Sequence, residues 1–257
     1  MIKVLDYTRK PLTLIGTCAK ECWDSNPKNL AKVAEECIAS QHGRVEEFGD
    51  ITIVIDGYSA RAIRELYTHI IGTTRLQSST RYINYNNLDY FTPPSVNKSD
   101  RAIREYDDVM SSIKEGYYEL EQLGVPKEDI ANILPLGMIS KMVLKINIRA
   151  LIHLAEMRLC ARAYHEIRAL VNEILEVVKE LDDEWATIIN LCKPRCEVHG
   201  YCPEKFSCGR VKTLEQLKDR DRKIDLLIGA IENSRETHHG HITEVQEVLL
   251  EVLNSLK

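Results

Sequence analysis

One stretch of the chain, from Ile139 to Leu181, contains neither glycine nor proline, and no other feature limits the fold as strongly. Its apolar residues fall on more than one face of a helix, which is typical of a helix buried in a protein core. We therefore predict that this stretch forms one helix, or a pair of helices, inside the protein.

The rest of the chain alternates between strand-like and helix-like segments. Residues 2–8, "IKVLDYT", and 50–57, "DITIVIDG", have the composition of strands. The spacing of apolar residues predicts helical pieces within 16–43, a helix from Ser59 to near Gly72, and a long helix from 98 to about 124. The stretch "TTRLQSSTRYINYNNLDYFTPPSV" that follows Gly72 is polar, aromatic and irregular, so we predict a long functional loop.

The composition excludes several classes of protein. The 257 residues carry a net charge of −5, which does not favour binding to nucleic acid but leaves room for a local basic pocket. A bilayer span needs a run of about 20 apolar residues, and the sequence has none. The first residues also lack the order of a signal peptide. We therefore expect a cytoplasmic protein without a membrane or nucleic-acid partner.

A first candidate site lies in the segment "QSSTRYINY". Ser78, Ser79, Thr80, Arg81 and Tyr82 offer hydroxyls, backbone N–H groups and a guanidinium. These groups can hold a phosphate monoester, because arginine binds two of its oxygens at once. The alternative is an ordinary polar loop.

A second candidate site lies in the segment "KINIRALIHLAEMR". Asn147, Arg149, His153 and Arg158 fall within about three turns of an otherwise apolar helix. Buried arginines need partners, and an anionic ligand would be one solution. Pairing with carboxylates such as Glu156 or Glu166, or exposure to solvent, would be another. Neither a "GxGxxG" nor a Walker fingerprint is present, so a bound dinucleotide would need a different cradle.

Taken together, four segments resemble the flavin-dependent thymidylate synthase family in order and spacing. "SQHGRVEEFGDITIVIDGYSARAIRELYTHI" is similar to the family's "SGHxSVxEHxxFTFxIxGxSRAxxxQLxRHR", and "RLQSSTRY" is similar to "xxQxSxRY". "LPLGMISKMVLKINIRALIHLAEMRLCARAYHEIR" resembles "LPxxxxTxxxxxxNxRxLxHFxxxRxxxxAQWEIR", and "PRCEVHGYCPEKFSCG" resembles a cysteine-bearing tail of many members. Several linked motifs are more specific than any single motif.

The resemblance covers roughly residues 1–210 and implies an α+β fold with a central, mostly antiparallel sheet and long helices; the C-terminal helical extension lies outside it. It implies a homotetramer with FAD and dUMP at subunit interfaces. The implied reaction converts dUMP to dTMP, with methylenetetrahydrofolate as carbon donor and NADPH-reduced FAD as hydride source.

By matching position, the resemblance also implies roles for individual residues. The expected FAD contacts are His42, Arg44, His69, Asn147, Arg149 and His153. The expected nucleotide contacts are Gln77, Ser79, Thr80, Arg81, Tyr82 and Arg158; to these we add Glu65, at the position of a family glutamine, and Arg75, which no family position implies. Arg158 is our candidate for stabilising negative charge on the pyrimidine ring, and we assign Ser79 to orienting the nucleotide, because no general base is evident beside it.

The chain departs from the family pattern at several positions. The family's "RHR" is here Thr68, His69 and Ile70, so two guanidinium groups are absent. Glu65 stands where glutamine is common, and Ala131 where an arginine usually contacts the nucleotide. We predict that Arg75 restores one of the missing positive charges. Two alternatives follow from these departures: a relative that makes another C5-modified pyrimidine nucleotide, and a noncatalytic protein that binds flavin or nucleotide.

The C-terminal part begins with a cluster of cysteines. We assign residues 1–210 to one domain, with a cysteine-rich segment at 192–209, and 211–257 to a helical hairpin with helices at 213–233 and 241–256. The hairpin would be structural, or would dock on a partner.

The cysteine cluster consists of Cys192, Cys196, Cys202 and Cys208, with His199 nearby. Three states of these cysteines are open: structural thiols, a redox pair and a zinc site. Because paired "CxxC" units are absent, we predict that they bind no metal.

Overall fold

The computed structural model describes residues 1–236, and side chains as far as residue 228. Four strands and ten α-helices follow one another in this part of the chain. The strands are β1 (Ile2–Tyr7), β2 (Asp50–Ser59), β3 (Thr73–Gln77) and β4 (Ile139–Asn147). The helices are α1 (Pro11–Trp23), α2 (Leu30–Ala39), α3 (Ala60–Leu66), α4 (Asp100–Gln122), α5 (Lys127–Ile130), α6 (Ile148–Arg158), α7 (His165–Lys179), α8 (Asp183–Ile189), α9 (Arg195–His199) and α10 (Leu214–Glu236).

The four strands form one antiparallel sheet in the order β1-β2-β4-β3. The inner face of the two central strands consists of fully buried aliphatic side chains. They are Ile51, Ile53 and Ile55 of β2 and Met142, Leu144 and Ile146 of β4. These side chains belong to one hydrophobic core that also contains residues of α1, α3, α6, α7 and α8. The predicted α+β class, with a central antiparallel sheet and long helices, is confirmed.

The prediction for the stretch without glycine and proline was wrong in its first part. Its first nine residues are strand β4, and only the remainder forms the expected pair of buried helices, α6 and α7. Lys141 and Lys145 are exposed on the outer face of the sheet, where they pair with Asp56 and Asp50. This alternation of buried and exposed residues has the period of a strand. The two helices that follow it obscured that short pattern.

The region after α3 also differs from the prediction. Helix α3 ends at Leu66, before the expected end near Gly72. The predicted loop begins with the edge strand β3, which pairs with β4 from Thr73 to Gln77. Because β3 is short and polar and pairs on one side only, its sequence lacks the apolar alternation of a central strand.

A buried carboxylate fixes the start of α3. Glu166 of α7 is only 3% exposed. It accepts hydrogen bonds from the backbone N–H of Ser59 at 2.6 Å and from the Ser59 hydroxyl at 2.5 Å. The same hydroxyl oxygen accepts the N–H of Ala62 and so caps α3. Helix α7 thereby holds the junction between β2 and α3.

A second compact unit begins at Arg195. It contains α9 and α10, and α10 begins with a reciprocal cap in which Thr213 and Gln216 each bind the other's backbone N–H. The helix predicted at 213–233 is confirmed, and the one predicted at 241–256 lies outside the described residues. The domain boundary predicted at residue 210 stays a prediction. Among residues 1–236, no helix has both the length and the apolar character that a membrane span needs.

We predict that Glu166→Ala lowers the free energy of unfolding by about 2–4 kcal/mol, because it leaves the buried N–H and hydroxyl of Ser59 without an acceptor. Urea denaturation measures the change. The control is Glu176→Ala, which removes an exposed carboxylate from the same helix and should change stability by less than about 0.5 kcal/mol. Equal losses in the two variants would contradict the assigned role.

Candidate functional site

A segment between α3 and β3, residues 68–72, runs alongside helix α6 and is tied to both of its ends. At one end the backbone N–H of Asn147 donates to the carbonyl of Gly72 at 3.0 Å. At the other end Arg158 Nε donates to His69 Nε2 at 3.0 Å. Two adjoining pockets lie between the segment and the helix, with volumes of about 490 and 360 Å³. Ile71, Ala150 and His153 line both pockets.

The larger pocket has an apolar wall and an arginine at one end. Ile70, Ile71, Ala150 and Met157 supply the apolar surface, and Arg158 supplies the cation. On α6, Ala150, His153 and Met157 are spaced three or four positions apart and so lie on one face of the helix, and Arg158 follows Met157 at its C-terminal end.

The end of α3 holds the Arg158 guanidinium through three contacts. Besides the bond to His69, Nη1 donates to Glu65 Oε2 at 3.0 Å and Nη2 donates to the Thr68 hydroxyl at 2.9 Å. The Arg158 and Glu65 side chains are 22% and 25% exposed, so solvent screens this ion pair less than a surface pair. A guanidinium has five N–H groups, and these contacts use three of them. Two N–H groups are therefore left for a ligand.

His69 is electrically neutral in this setting. Burial is the main cause that lowers its pKa to about 4, and the nearby Arg158, His153 and Arg75 side chains lower it further. The rings of His69 and His153 meet edge to face, with centroids 5.8 Å apart. The pocket thus borders a fixed cation and an uncharged imidazole.

The smaller pocket opens at the N-terminus of α6. The Asn147 side chain caps the helix by accepting the N–H of Ala150 at 2.9 Å. Arg149 lies in the first turn, and its Nη1 is 2.6 Å from Glu47 Oε1. The backbone N–H groups of Asn147, Ile148 and Ala150 already have acceptors, so the positive end of the helix dipole and the Arg149 guanidinium are what favour negative charge here. An anion at this end would compete with Glu47 for Arg149.

The turn after β3 has the geometry expected of a polar turn. The backbone N–H groups of Tyr82 and Ile83 both donate to the carbonyl of Ser79, and the N–H of Arg81 is 3.4 Å from the Ser79 hydroxyl. Arg81 is paired with Glu128 at 3.0 Å, and both side chains are mostly exposed. Just before the turn, the side-chain amide of Gln77 on β3 donates to the Ser140 hydroxyl on β4. None of the residues from Gln77 to Tyr82 lines either pocket.

The structure thus brings together part of the predicted set. His69, Asn147, Arg149, His153 and Arg158 line the two pockets, with Glu65 behind Arg158. His42 and Arg44 are exposed and line neither pocket. Arg75 donates to backbone carbonyls of the segment next to α3.

Both arginines pair with carboxylates, as the alternative expected, but with other ones than those named as examples. Glu166 binds Ser59, whereas Arg158 pairs with Glu65 and Arg149 with Glu47. Sequence reasoning missed Glu47 as an ion-pair partner and Thr68 as a hydrogen-bond acceptor. Both contacts join residues that are far apart in the chain, and no local spacing indicates them.

The cysteine cluster is divided between the two units. Cys192 belongs to the first unit, where burial raises the pKa of its thiol to about 12. Cys196, Cys202 and Cys208 belong to the second unit. No disulfide joins cysteines in the described part of the chain, and within it no three His, Cys, Asp or Glu side chains are grouped so as to hold a metal ion. The zinc alternative therefore gains no support.

Position 72 needs a glycine for two reasons, its backbone conformation and the lack of space for a Cβ atom. Its φ angle is +72°, which favours glycine, and a Cβ atom there would lie 2.5 Å from Asn147 Oδ1.

We predict that Gly72→Ala lowers the free energy of unfolding by about 2 kcal/mol, because it strains the backbone and displaces the Asn147 cap. Gly124→Ala is the matched control, because Gly124 also has a positive φ but a Cβ atom there meets nothing within 4 Å. Its loss should be about 1 kcal/mol. Equal urea midpoints would exclude the collision with Asn147.

The sequence of the chain is similar to those of known proteins. The family model described as thymidylate synthase complementing protein matches residues 3–182. The chain is 29% identical to a flavin-dependent thymidylate synthase of Nitratidesulfovibrio vulgaris over 81% of this chain and 94% of that protein. It is 30% identical to one of Pyrococcus abyssi over 79% of this chain and 89% of that protein.

A solved structure has a similar fold. It is a UMP/dUMP methylase, PolB, from Streptomyces cacaoi bound with 5-Br dUMP, with a TM-score of 0.59 and 17% identity. The match covers 74% of this chain and 94% of the methylase chain. From the family model and the sequence relatives together, we conclude that the chain belongs to the flavin-dependent thymidylate synthase family.

Proposed function

We propose that the chain converts dUMP to dTMP, with methylenetetrahydrofolate as carbon donor and NADPH-reduced FAD as hydride source. The observation that carries the proposal is the Arg158 guanidinium. Three contacts from the end of α3 hold it at the wall of a pocket, with two N–H groups left over. Such a group can donate to a carbonyl oxygen of a pyrimidine ring.

The chemistry explains why a fixed donor is needed. To accept a carbon unit, C5 of uracil must become nucleophilic, and negative charge then develops on a ring carbonyl oxygen. A donor already held in place stabilises that charge without the cost of reorganisation. Arg158 meets this condition, because Glu65, Thr68 and His69 fix its orientation.

The residues around the two pockets fit FAD. Ile70, Ile71, Ala150 and Met157 offer an apolar surface for a planar ring system, while the first turn of α6 and Arg149 favour the negative charge of a pyrophosphate. We propose His69, Asn147, Arg149 and His153 as FAD contacts, with His42 and Arg44 approaching from the turn beside Arg149. Bound flavin would supply the redox chemistry, and the protein would supply position and electrostatics.

We propose that the turn from Ser79 to Tyr82 holds the nucleotide phosphate at a site completed by another subunit of a homotetramer. Two observations support this. The turn residues line neither pocket of their own chain, although the turn offers hydroxyls and Arg81. Ile70 and Ile71 beside the larger pocket are 69% and 83% exposed, and Leu76 on edge strand β3 is 71% exposed. Several exposed apolar side chains in one short stretch of the chain are typical of an interface.

A second candidate function is synthesis of another C5-modified pyrimidine nucleotide. The contacts of Arg158 favour considering it, because Glu65 and Thr68 bind this arginine where the family pattern has glutamine and arginine. The altered charge beside the pocket could change which carbon unit or which nucleotide is accepted.

One experiment separates the candidates. The protein is incubated anaerobically with reduced FAD, methylenetetrahydrofolate and dUMP, and the nucleotide is analysed by mass spectrometry. We expect the mass of dTMP. The mass of a hydroxymethylated nucleotide would support the second candidate. Unchanged dUMP, with flavin still bound to the protein, would indicate a noncatalytic binding protein and would end the proposal.

We predict that Arg158→Lys lowers kcat by about 100-fold or more, because a lysine cannot bind Glu65, Thr68 and His69 together and still present a fixed donor. Steady-state rates of dTMP formation measure the effect, and circular dichroism checks folding. Lys179→Ala, which removes an exposed charge at the end of α7, is the control and should leave kcat unchanged. A kcat in Arg158→Lys within about twofold of the wild type would contradict the role.

A further inference from the structure

Arg75 on the edge strand β3 is bound to the end of α3. Its Nη1 donates to the carbonyl oxygen of Tyr67 at 2.8 Å and to that of His69 at 3.0 Å. Its guanidinium carbon also lies 4.9 Å from the centre of the Tyr67 ring. Tyr67 and His69 follow Leu66, the last residue of α3, and the His69 carbonyl oxygen also accepts the Thr73 hydroxyl at 2.6 Å. Arg75 therefore ties β3 to the backbone that follows α3, and it shares the restraint of His69 with Thr73.

The ring of His69 has a defined tautomer. Arg158 Nε can only donate a hydrogen bond, so the His69 Nε2 that it contacts must be the acceptor nitrogen. The single proton of the neutral imidazole then lies on Nδ1. If Nε2 gained a proton, two donors would face each other at 3.0 Å and the contact would be lost.

The charged and titratable groups around this ring come from three elements. Arg158 and His153 belong to α6, Arg75 to β3, and Glu65 of α3 binds another nitrogen of the Arg158 guanidinium. The cations among them disfavour a proton on Nε2, in agreement with the lowered pKa of His69.

We propose that Arg75 is a positioning residue: it holds the backbone of residues 67–69 so that the His69 ring stays the hydrogen-bond acceptor for Arg158. Arg75 lines neither pocket, so its effect on a ligand passes through His69 and Arg158. This assigns Arg75 a different role from direct contact with the nucleotide. The proposal concerns the same site as the proposed function and deepens it. Only the measured rate of dTMP formation rests on the proposed function; the NMR measurement does not.

The test follows the His69 ring by nitrogen NMR of the full chain without nucleotide or folate. The His69 signals are identified by their loss in His69→Gln. In the wild type we expect an Nδ1-protonated neutral ring throughout about pH 5 to 8. In Arg75→Ala we expect averaging between the two tautomers and a higher pKa of His69, because a nearby cation is removed and the contact with Arg158 is loosened. We also expect dTMP formation to fall by about 10- to 100-fold, the scale of a misplaced catalytic group.

Two further variants make the test selective. Arg75→Lys should restore much of the wild-type NMR pattern, because an ammonium can also donate to both carbonyls. Arg64→Ala removes an exposed cation from α3 itself and should change neither the NMR pattern nor the rate. If Arg75→Ala does not fold, Arg75→Met keeps the aliphatic stem and takes its place.

The NMR result decides the proposal independently of activity. A His69 ring in Arg75→Ala with wild-type tautomer and pKa would overturn it, even if the rate fell, because Arg75 would then act directly on the ligand. If the wild type makes no dTMP, the proposed function fails while the NMR comparison still tests the role of Arg75.

Discussion

The pairing of β2 with β4 is the constraint on which the candidate site depends. Each strand continues without a loop into a helix, β2 into α3 at Ser59 and β4 into α6 at Asn147. Because the strands are antiparallel, the two helices begin at opposite ends of the sheet. Both contribute to the same core, and their C-terminal ends meet where Arg158 contacts Glu65 and His69. The register of the strands thereby sets the separation of groups that lie about ninety residues apart in the chain.

Glutamates accompany the arginines of the site, and this shapes its electrostatics. The pairs are Arg81 with Glu128, Arg149 with Glu47, and Arg158 with Glu65. The pairs of Arg81 and Arg149 are largely exposed and contribute only about 0–1 kcal/mol to stability, so a ligand can displace them at small cost, whereas the less exposed pair of Arg158 and Glu65 stays in place. An anionic ligand nevertheless exchanges one set of hydrogen bonds for another. Its affinity should therefore depend on the geometry of directed donors more than on a strong overall positive potential.

The sequence predicted the class of fold and much of the site, but it left out the contacts that join them. The strand β2 and the helix α4 could be predicted because each has one clear period. Strand β4 was hidden because nine alternating residues run directly into a helix without a turn residue between them. Arg158 and His69 were found by their place in a family pattern. Their contact with each other, and with Glu65 and Thr68, depends on the packing of α3 and α6 against β4 and α7, which no local spacing encodes.

The segment from Thr68 to Gly72 is held at both ends, by Arg158 near its start and by Asn147 at its finish. A chain tied at two points has a fixed span, and a residue here covers at most about 3.3–3.6 Å. An added or deleted residue would shift one tie out of reach of its partner. This segment should therefore accept changes of side chain, as at its exposed isoleucines, far more readily than insertions or deletions. Among relatives, its length rather than its composition should mark the proteins that keep the same site.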